Sequence, residues 1–398
     1  MSTPAERYAA AKLRGQHPIT TEFIQTFEFE FDPFQITACH AVEDGKGVLV
    51  AAPTGAGKTV VGEFAAYYAL QAGKKCFYTT PIKALSNQKY SEFVAKFGED
   101  RVGLLTGDTS INGEAEILVM TTEVLRNMLY AGSNTLTNLG CVVMDEVHYL
   151  ADKFRGAVWE EVLIHLMESV QVISLSATVS NAEEFGEWLG EVRGETEVIV
   201  SEIRPIPLFQ HVLIGNRLLD LFDAPGRVNP EVLNREREMT RRAALGRDRR
   251  GRFAEPSDRL SRADIIEKLQ GESLLPAITF IFSRIGCDAA VKQCLQAGLR
   301  LTSTEEREEI KRTALRYTQN IAEEDLEVLN FKEWLTALER GIAAHHAGLL
   351  PSFKGAVEDL FQRGLVKAVF ATETLALGIN MPARTVVLEK LIKFNGEA

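Results

Sequence analysis

The stretch Ala52-Pro53-Thr54-Gly55-Ala56-Gly57-Lys58-Thr59 lies between an apolar run, Gly47-Val48-Leu49-Val50-Ala51, and a helix-like stretch from Val60 to Gln71. A buried strand, a glycine-rich loop and a helix in this order form the context of a phosphate-binding loop, or P-loop. Small residues let successive backbone N–H groups converge on phosphate oxygens, and the helix N-terminus adds its positive dipole end. The residues expected to line the phosphates are Pro53, Thr54, Gly55, Ala56, Gly57, Lys58 and Thr59.

A second apolar strand, Cys141-Val142-Val143-Met144, ends in Asp145-Glu146-Val147-His148. An acidic pair at the end of a buried strand, downstream of a P-loop, is typical of a Walker B motif. We expect Lys58 to contact the β- and γ-phosphates, and Thr59 and Asp145 to hold Mg²⁺. Glu146 would then orient the water that attacks the γ-phosphate. The alternative, a solvated acidic pair at a strand end, is weakened by the P-loop upstream.

Composition limits the classes of protein that the chain can represent. Its 398 residues are enough for two or three domains, and 45% are apolar and 25% charged, as in ordinary globular proteins. No apolar run approaches the ~20 residues of a membrane span, and the N-terminus lacks the apolar core of a signal peptide. The five cysteines show no C-x-x-C spacing, so we expect free thiols, no zinc site and a cytoplasmic location without membrane attachment.

The net charge of −11 argues against a nucleic-acid binder that works through bulk positive charge. The net charge does not exclude a nucleic-acid binder that has a narrow basic track on an otherwise acidic surface. Residues 235–252 depart from the average, with eight arginines against three acidic residues. A solvated linker is the favoured interpretation of this segment, and a disordered arm that contacts phosphates is the alternative.

The first half of the chain alternates short apolar runs with helical stretches, a pattern that predicts a parallel sheet covered on both faces. Ligands of such sheets bind at the carboxyl ends of the strands, where both phosphate motifs fall. The candidate strands are 47–52, 74–79, 101–105, 116–120, 140–144, 171–175 and 196–200, and the candidate helices are 57–72, 82–97, 122–131, 157–168 and 181–189.

The alternation stops at 201–270, a polar and arginine-rich stretch that we interpret as a connection between domains. It resumes with a strand at 277–282, a helix to about residue 296, and strands near 341–345, 366–371 and 384–389. The charged segment 302–340 is expected to be a helical insertion. Because only the first half has a P-loop, we expect the nucleotide to lie in a cleft between two α/β units.

Further strings, in order along the chain, resemble the motifs of superfamily-two helicases. The P-loop, Asp145-Glu146-Val147-His148 and Ser176-Ala177-Thr178 resemble motifs I, II and III. The other matching strings are Phe31-Asp32-Pro33-Phe34-Gln35, Thr80-Pro81-Ile82-Lys83-Ala84-Leu85, Thr106-Gly107-Asp108, Thr121-Thr122-Glu123, Phe282-Ser283-Arg284 and the motif V string from Ala371 to Pro382.

Three features narrow the resemblance to the Ski-like RNA helicases. They are the DEVH form of Asp145-Glu146-Val147-His148, the residues 149–161 that follow it, and the string Ala344-His345-His346-Ala347-Gly348-Leu349-Leu350-Pro351. The motifs are most similar to the actinobacterial branch of this group. The resemblance covers roughly residues 25–395, and the segments 215–265 and 302–340 do not contribute to it. The resemblance implies two RecA-like domains, ATP and Mg²⁺ as cofactors, and single-stranded RNA as the partner. It also implies delivery of RNA to degradation machinery by a monomeric enzyme.

The resemblance assigns roles to individual residues. Gln35 would recognise the adenine edge with Phe31 or Phe34 packed nearby, and Gly378 and Asn380 would face the ribose. His148, Ser176 and Thr178 would couple hydrolysis to the nucleic-acid track. Candidates for backbone contacts with nucleic acid are Pro81, Lys83, Ala84, Gly107, Thr122, Arg284 and Thr372. His345 and His346 are not expected to bind a metal, because adjacent residues of a strand point to opposite faces.

The family's Gln-x-x-Gly-Arg-x-Gly-Arg motif does not occur in these residues. We therefore expect little ATPase activity and a core fragment of a larger protein. The expected domains are an N-terminal extension (1–24), a first RecA-like domain (25–203), a partly disordered linker (204–270) and an incomplete second RecA-like domain (271–398). Two alternatives to an RNA helicase remain open, a repair-type DNA helicase and a nucleotide-gated clamp that binds single strands without unwinding.

Overall fold

The computed structural model describes residues 16–151, 155–177, 181–245, 260–375 and 381–391. The chain divides into two units, Met1–Leu208 and Phe209–Ala398. The predicted boundaries at 25, 204 and 271 stay predictions.

The first unit alternates helices and strands from α1 to β8. The candidate strands and helices of this half are confirmed, with ends that shift by a few residues. The elements are α1 (Pro18–Ile24), α2 (Pro33–Glu43), β1 (Gly47–Ala51), α3 (Thr59–Gln71), β2 (Lys75–Thr80), α4 (Lys83–Phe97), β3 (Val102–Leu105), β4 (Ser110–Ile111), β5 (Ile117–Thr121), α5 (Thr122–Ala131), β6 (Leu139–Met144), α6 (Gly156–His165), β7 (Gln171–Ser176), α7 (Ala182–Arg193) and β8 (Thr196–Val200).

These strands form an eight-stranded sheet in the order β4-β3-β5-β2-β6-β7-β1-β8. All neighbours pair in parallel except the short edge strand β4, which is antiparallel to β3. Both faces are buried, since Val48 and Val50 of β1 face one core and Leu49 faces the other. Burial on both faces explains why the strands are continuous apolar runs instead of alternating ones.

The second unit begins with two antiparallel hairpins and a helix. The hairpins are β9 (His211–Ile214) with β10 (Arg217–Asp220) and β11 (Phe222–Ala224) with β12 (Arg227–Val228), and the helix is α8 (Pro230–Leu245). The sequence pattern did not predict this regular structure, because the strands are short and mostly exposed and so lack long apolar runs. The first part of the arginine-rich segment is therefore helical, and its residues 246–252 lie outside the described part.

The remainder of the second unit contains a four-stranded parallel sheet in the order β14-β15-β13-β16. Its strands agree with the sequence pattern, and helices cover both faces. The elements are α9 (Arg262–Gly271), β13 (Ala277–Phe280), α10 (Arg284–Gln296), α11 (Thr304–Thr318), α12 (Glu323–Val328), α13 (Phe331–Glu339), β14 (Ile342–His345), α14 (Pro351–Gln362), β15 (Ala368–Ala371) and β16 (Thr385–Leu388). The fold class, parallel α/β with helices on both faces and a P-loop only in the first unit, is confirmed.

The charged segment 302–340 is helical, as expected, but it is part of the core of the second unit. Ile310 and Ala314 of α11 and Leu338 of α13 are fully buried against α14 and the sheet. The apolar positions 310 and 314 share one helix face, and the charged residues on the other faces conceal this stripe in the average composition.

No helix in the described ranges is both long and apolar enough to cross a bilayer.

Candidate functional site

The strand order of the first unit brings the phosphate motifs together. Strand β7 lies between β1, which leads into the P-loop, and β6, which leads into Asp145. Ala51 is level with Ser176 at the end of β7, and Met144 is level with Ser174. The predicted motifs I, II and III therefore begin at neighbouring carboxyl ends of one parallel sheet, the edge at which such sheets bind ligands.

The P-loop turns through two glycines with positive φ, +85° at Gly55 and +83° at Gly57. A side chain at Gly57 would also clash, because its Cβ would lie 2.6 Å from Nε2 of Gln35. The Lys58 ammonium donates hydrogen bonds to the carbonyl oxygens of Ala52 (2.8 Å) and Pro53 (3.1 Å). It is therefore held within the loop that would surround the phosphates.

Burial lowers the pKa of Lys58, and the nearby carboxylates of Glu146 and Asp145 raise it in part. Desolvation of a cation is relieved by an anionic ligand, so the environment of Lys58 favours phosphate binding. Thr59, the first residue of α3, places its hydroxyl at the same helix N-terminus.

The carboxylate of Asp145 is fixed by two protein donors. Tyr78 donates its hydroxyl to Oδ2 at 2.7 Å, and the backbone N–H of Glu146 donates to Oδ1 at 2.9 Å. Thr59 and Asp145 carry the hard oxygen ligands that Mg²⁺ prefers, and they are the residues that would hold the ion beside a bound triphosphate. Across the described ranges, no group of three or more His, Cys, Asp or Glu side chains could hold a metal ion. A site of the two-ligand kind is what these residues fit.

Glu146 has a left-handed backbone, with φ of +53°, which is uncommon for a residue with a Cβ. Burial and then the neighbouring charge of Asp145 raise the pKa of its carboxyl, while Lys58 and Lys89 lower it. Its Oε2 lies 3.3 Å from Nδ1 of His148, without hydrogen-bond geometry. Burial and then Lys58 lower the pKa of His148, against the influence of Asp145, and so favour the neutral imidazole.

Gln35 is buried and connects the start of α2 to the P-loop. Its Oε1 accepts a hydrogen bond from the backbone N–H of Asp32 (2.8 Å), and its Nε2 donates to the carbonyl oxygen of Gly57 (3.0 Å). Phe31 is buried in a cluster of aromatic rings, and the ring of Phe29, which is 53% exposed, stacks on it. The structure therefore gives Gln35 a supporting role beneath the loop, and its predicted contact with adenine stays a prediction.

Five of the predicted nucleic-acid residues follow the ends of β2, β3 and β5. Pro81, Lys83 and Ala84 stand between β2 and the first turn of α4, and Thr122 begins α5 directly after β5. Because β3, β5 and β2 are neighbours, these residues and Gly107 follow adjacent carboxyl ends of the sheet. Thr122 is fully buried and donates its hydroxyl to the carbonyl oxygen of Thr80 at 3.3 Å, so its contact with nucleic acid stays a prediction.

The exposed ammonium of Lys83 is bound by both carboxylate oxygens of Asp108, at 2.6 and 2.5 Å. Asp108 also accepts a hydrogen bond from the hydroxyl of Thr106 at 3.1 Å. A phosphate that binds Lys83 must therefore compete with Asp108. Gly107, next to this pair, is exposed, and a Cβ there would meet nothing within 4 Å.

In the second unit, Arg284 is the first residue of α10 and Thr372 follows β15. His345 and His346 bind different carboxylates, Glu358 at 2.7 Å and Asp288 at 3.1 Å. The backbone N–H of Gly348 donates to Nδ1 of His346. Because Nδ1 of His346 is the acceptor, its Nε2 carries the proton and donates it to Asp288.

Ser176 is buried at the end of β7, and its hydroxyl has no hydrogen-bond partner within the described part of the chain. The other predicted residues Thr178, Gly378 and Asn380 lie outside the described residues.

The sequence pattern missed two polar residues of this site. Tyr78 lies in the predicted strand 74–79 but was not singled out, although its hydroxyl binds Asp145. Lys89 is buried in α4, where its ammonium donates to Oε2 of Glu92 (2.6 Å) and to the hydroxyl of Thr59 (3.3 Å). A lysine among the buried positions of an amphipathic helix was the available signal, because buried charges are normally paired.

Comparison with known proteins assigns part of the first unit to a family. Residues 32–185, which contain the P-loop, Asp145 and Glu146, match the family model described as DEAD/DEAH box helicase. The first unit therefore contains a DEAD/DEAH box helicase domain.

Similarity to individual helicases extends over both units. The chain is 59% identical to the probable helicase HelY of Mycobacterium leprae, over 94% of this chain and 42% of the relative. It is 40% identical to the ATP-dependent RNA helicase mtr4 of Schizosaccharomyces pombe, over 94% of this chain and 34% of the relative. It is 41% identical to the human Superkiller complex protein 2, over 92% and 30%. The resemblance to Ski-like helicases is confirmed, and the chain spans less than half the length of these relatives.

Proposed function

We propose that this chain is the motor core of an ATP-dependent RNA helicase. The observation that supports the proposal most is the order of the first sheet. One edge of it carries the P-loop, Asp145 and Glu146 after β1 and β6, and the predicted nucleic-acid residues of the first unit after β2, β3 and β5. Nucleotide and nucleic-acid chemistry therefore share one rigid platform. The similarity to a relative named as an RNA helicase favours RNA over DNA.

In this proposal the residues of the P-loop bind and orient the triphosphate. Backbone N–H groups and the start of α3 contact its oxygens, and Lys58 exchanges the carbonyl oxygens of Ala52 and Pro53 for the β- and γ-phosphates. Thr59 and Asp145 hold Mg²⁺, which neutralises charge on the phosphate oxygens. Gln35 recognises adenine, with Phe31 or the more exposed Phe29 packed against the base.

Glu146 is proposed to position the attacking water and accept its proton. A raised pKa brings a carboxyl closer to the pH at which proton transfer is efficient. The imidazole of His148 lies 3.3 Å from the carboxylate of Glu146. With Ser176 and Thr178, His148 is proposed to couple ATP hydrolysis at Glu146 to the nucleic-acid track. Gly378 and Asn380 would contact the ribose.

Single-stranded RNA is proposed to lie along the carboxyl edge of the sheets and to be held through its phosphates. The contacts would come from Pro81, Lys83, Ala84, Gly107, Thr122, Arg284 and Thr372. Backbone and lysine contacts of this kind do not depend on base sequence, as translocation along a strand requires. The proposal also includes delivery of RNA to degradation machinery, a monomeric state and a cytoplasmic location.

The test is ATP hydrolysis with and without single-stranded RNA or DNA, on this chain and on a version extended past Ala398 that includes the arginine motif. We expect Mg·ATP binding but little turnover in the 398-residue chain, because an arginine at the transferring phosphate contributes ~10³–10⁵ in rate. The extended version should hydrolyse ATP faster with RNA and unwind a duplex. Lys58→Ala should abolish turnover by weakening ATP binding, and Glu146→Gln should abolish it with ATP still bound.

Three results would contradict parts of the proposal. Stimulation by DNA but not RNA would favour the repair-type helicase. RNA binding that depends on nucleotide, without unwinding by the extended version, would favour the clamp. Turnover at the parent's rate in Glu146→Gln would remove Glu146 from its proposed role.

A further inference from the structure

The hydroxyl of Tyr78 makes a contact that packing alone does not require. Tyr78 lies in β2 and is fully buried, and its hydroxyl donates to Oδ2 of Asp145 at 2.7 Å. The other oxygen of Asp145 accepts the backbone N–H of Glu146 at 2.9 Å. Each carboxylate oxygen thus has one fixed donor, and two donors on opposite oxygens set the plane of the carboxylate. Since a carboxylate oxygen accepts about two hydrogen bonds, each oxygen keeps a free lone pair.

The ring that carries this hydroxyl is held tightly. On one side α3 passes so close that a Cβ at Gly62 would lie 2.8 Å from Cε2 of Tyr78. Phe93 of α4 packs edge-on against the ring, with centroids 5.1 Å apart. In the sheet, Tyr78 is level with Val143, two residues before Asp145. With contacts from two helices and the next strand, the hydroxyl has a defined position, and Asp145 is oriented by a rigid group.

We propose that Tyr78 is a positioning residue of the magnesium site, whose hydroxyl orients the Asp145 carboxylate for the metal. The inference rests on the proposed function, in which Asp145 holds Mg²⁺ with Thr59. Groups that bind a metal ligand from behind fix its direction, and their removal typically lowers metal affinity or activity about 10–100-fold. A tyrosine that only filled the core would lose little when its hydroxyl is removed.

The experiment measures the Mg²⁺ dependence of nucleotide binding, which the 398-residue chain can report without turnover. A fluorescent ATP analogue is titrated at increasing Mg²⁺, and the Mg²⁺ concentration at half-maximal binding is compared between variants. Tyr78→Phe removes only the hydroxyl. Tyr68→Phe is the matched control, because the hydroxyl of Tyr68 in α3 donates to the backbone carbonyl of Glu43 (3.3 Å) and not to a proposed metal ligand. Asp145→Asn tests the metal role of Asp145 itself.

We expect Tyr78→Phe to raise the Mg²⁺ midpoint about tenfold or more. Its nucleotide affinity in EDTA should equal that of the parent, and Tyr68→Phe should leave both quantities unchanged. The inference is overturned if Tyr78→Phe keeps the parent's midpoint while Asp145→Asn raises it, or if both tyrosine variants shift the midpoint equally. If Asp145→Asn does not raise the midpoint, the metal role of Asp145 in the proposed function fails, and the inference fails with it.

Discussion

Glu146 should reduce the stability of the protein at neutral pH, for two reasons visible in the structure. Its φ of +53° is left-handed, which costs an L-residue about 1–2 kcal/mol. Its carboxyl is partly buried beside Asp145, and both burial and that charge raise its pKa in the folded protein. Since active sites commonly keep such unfavourable features, replacing Glu146 in this proposed site should stabilise the fold.

Two substitutions separate these effects. Glu146→Gln keeps the side-chain shape and the left-handed backbone but removes the charge. Glu146→Gly removes the charge and also the strain of the left-handed backbone, although glycine loses about 0.5–1 kcal/mol in chain entropy. The net gain of glycine over glutamine is therefore about 0–1.5 kcal/mol, from the 1–2 kcal/mol of relieved backbone strain. For a unit of 208 residues this corresponds to at most about 6 °C in Tm.

The pH dependence follows from the direction of the pKa shift. A carboxyl whose pKa is higher in the folded than in the unfolded chain costs stability as pH rises from the unfolded value of 4.5 through the folded value. Glu146→Gln should therefore have a higher Tm than the parent at pH 8, and the advantage should shrink towards pH 4.5. Burial and then Lys58 lower the pKa of the neighbouring His148, so His148 gains its proton at a lower pH than an ordinary histidine.

Thermal unfolding of the parent, both Glu146 variants and Glu99→Gln, an exposed control, tests this reasoning. The control should match the parent at every pH. A Glu146→Gln protein that is less stable than the parent at pH 8, or an advantage that does not change with pH, would refute the electrostatic argument. A glycine variant that melts below the glutamine variant would refute the backbone argument.

Three further predictions concern other contacts. Arg193→Met should lower the unfolding free energy of the first unit by about 2–4 kcal/mol in urea denaturation, because four backbone carbonyls in the last turn of α6 and the segment after it lose a charged donor. A loss below about 0.5 kcal/mol would contradict this. Asp108→Asn should strengthen single-stranded RNA binding up to about fivefold in fluorescence anisotropy at low salt, by freeing Lys83 from an exposed ion pair; an unchanged affinity would remove Lys83 from the RNA track. ATP should displace a fluorescent adenine nucleotide about 5–150-fold better than GTP, and Gln35→Met should abolish that preference; equal displacement by GTP in the parent would exclude adenine recognition by Gln35.

The parallel α/β fold could be predicted because its signals are local. Strands buried on both faces must be apolar throughout, as in Gly47–Ala51 and Leu139–Met144, and each run is separated from the next by a helix. The hairpins at 211–228 escaped prediction because short exposed strands carry no such run. The role of 302–340 in the core was missed because a few buried residues, such as Ile310, stand among many charges.

The same distinction between local signals and long-range contacts holds for the candidate site. By itself the sequence determined the P-loop and the Asp145–Glu146 pair, because backbone N–H groups and a strand-end carboxylate are placed by contiguous residues. Only the tertiary structure decided that β7 separates β1 from β6, that Tyr78 donates to Asp145 and that Lys89 donates to Thr59. The contacts of Tyr78 and Lys89 join residues 67 and 30 positions apart. The geometry of such pairs depends on strand order, register and helix packing, which no local pattern specifies.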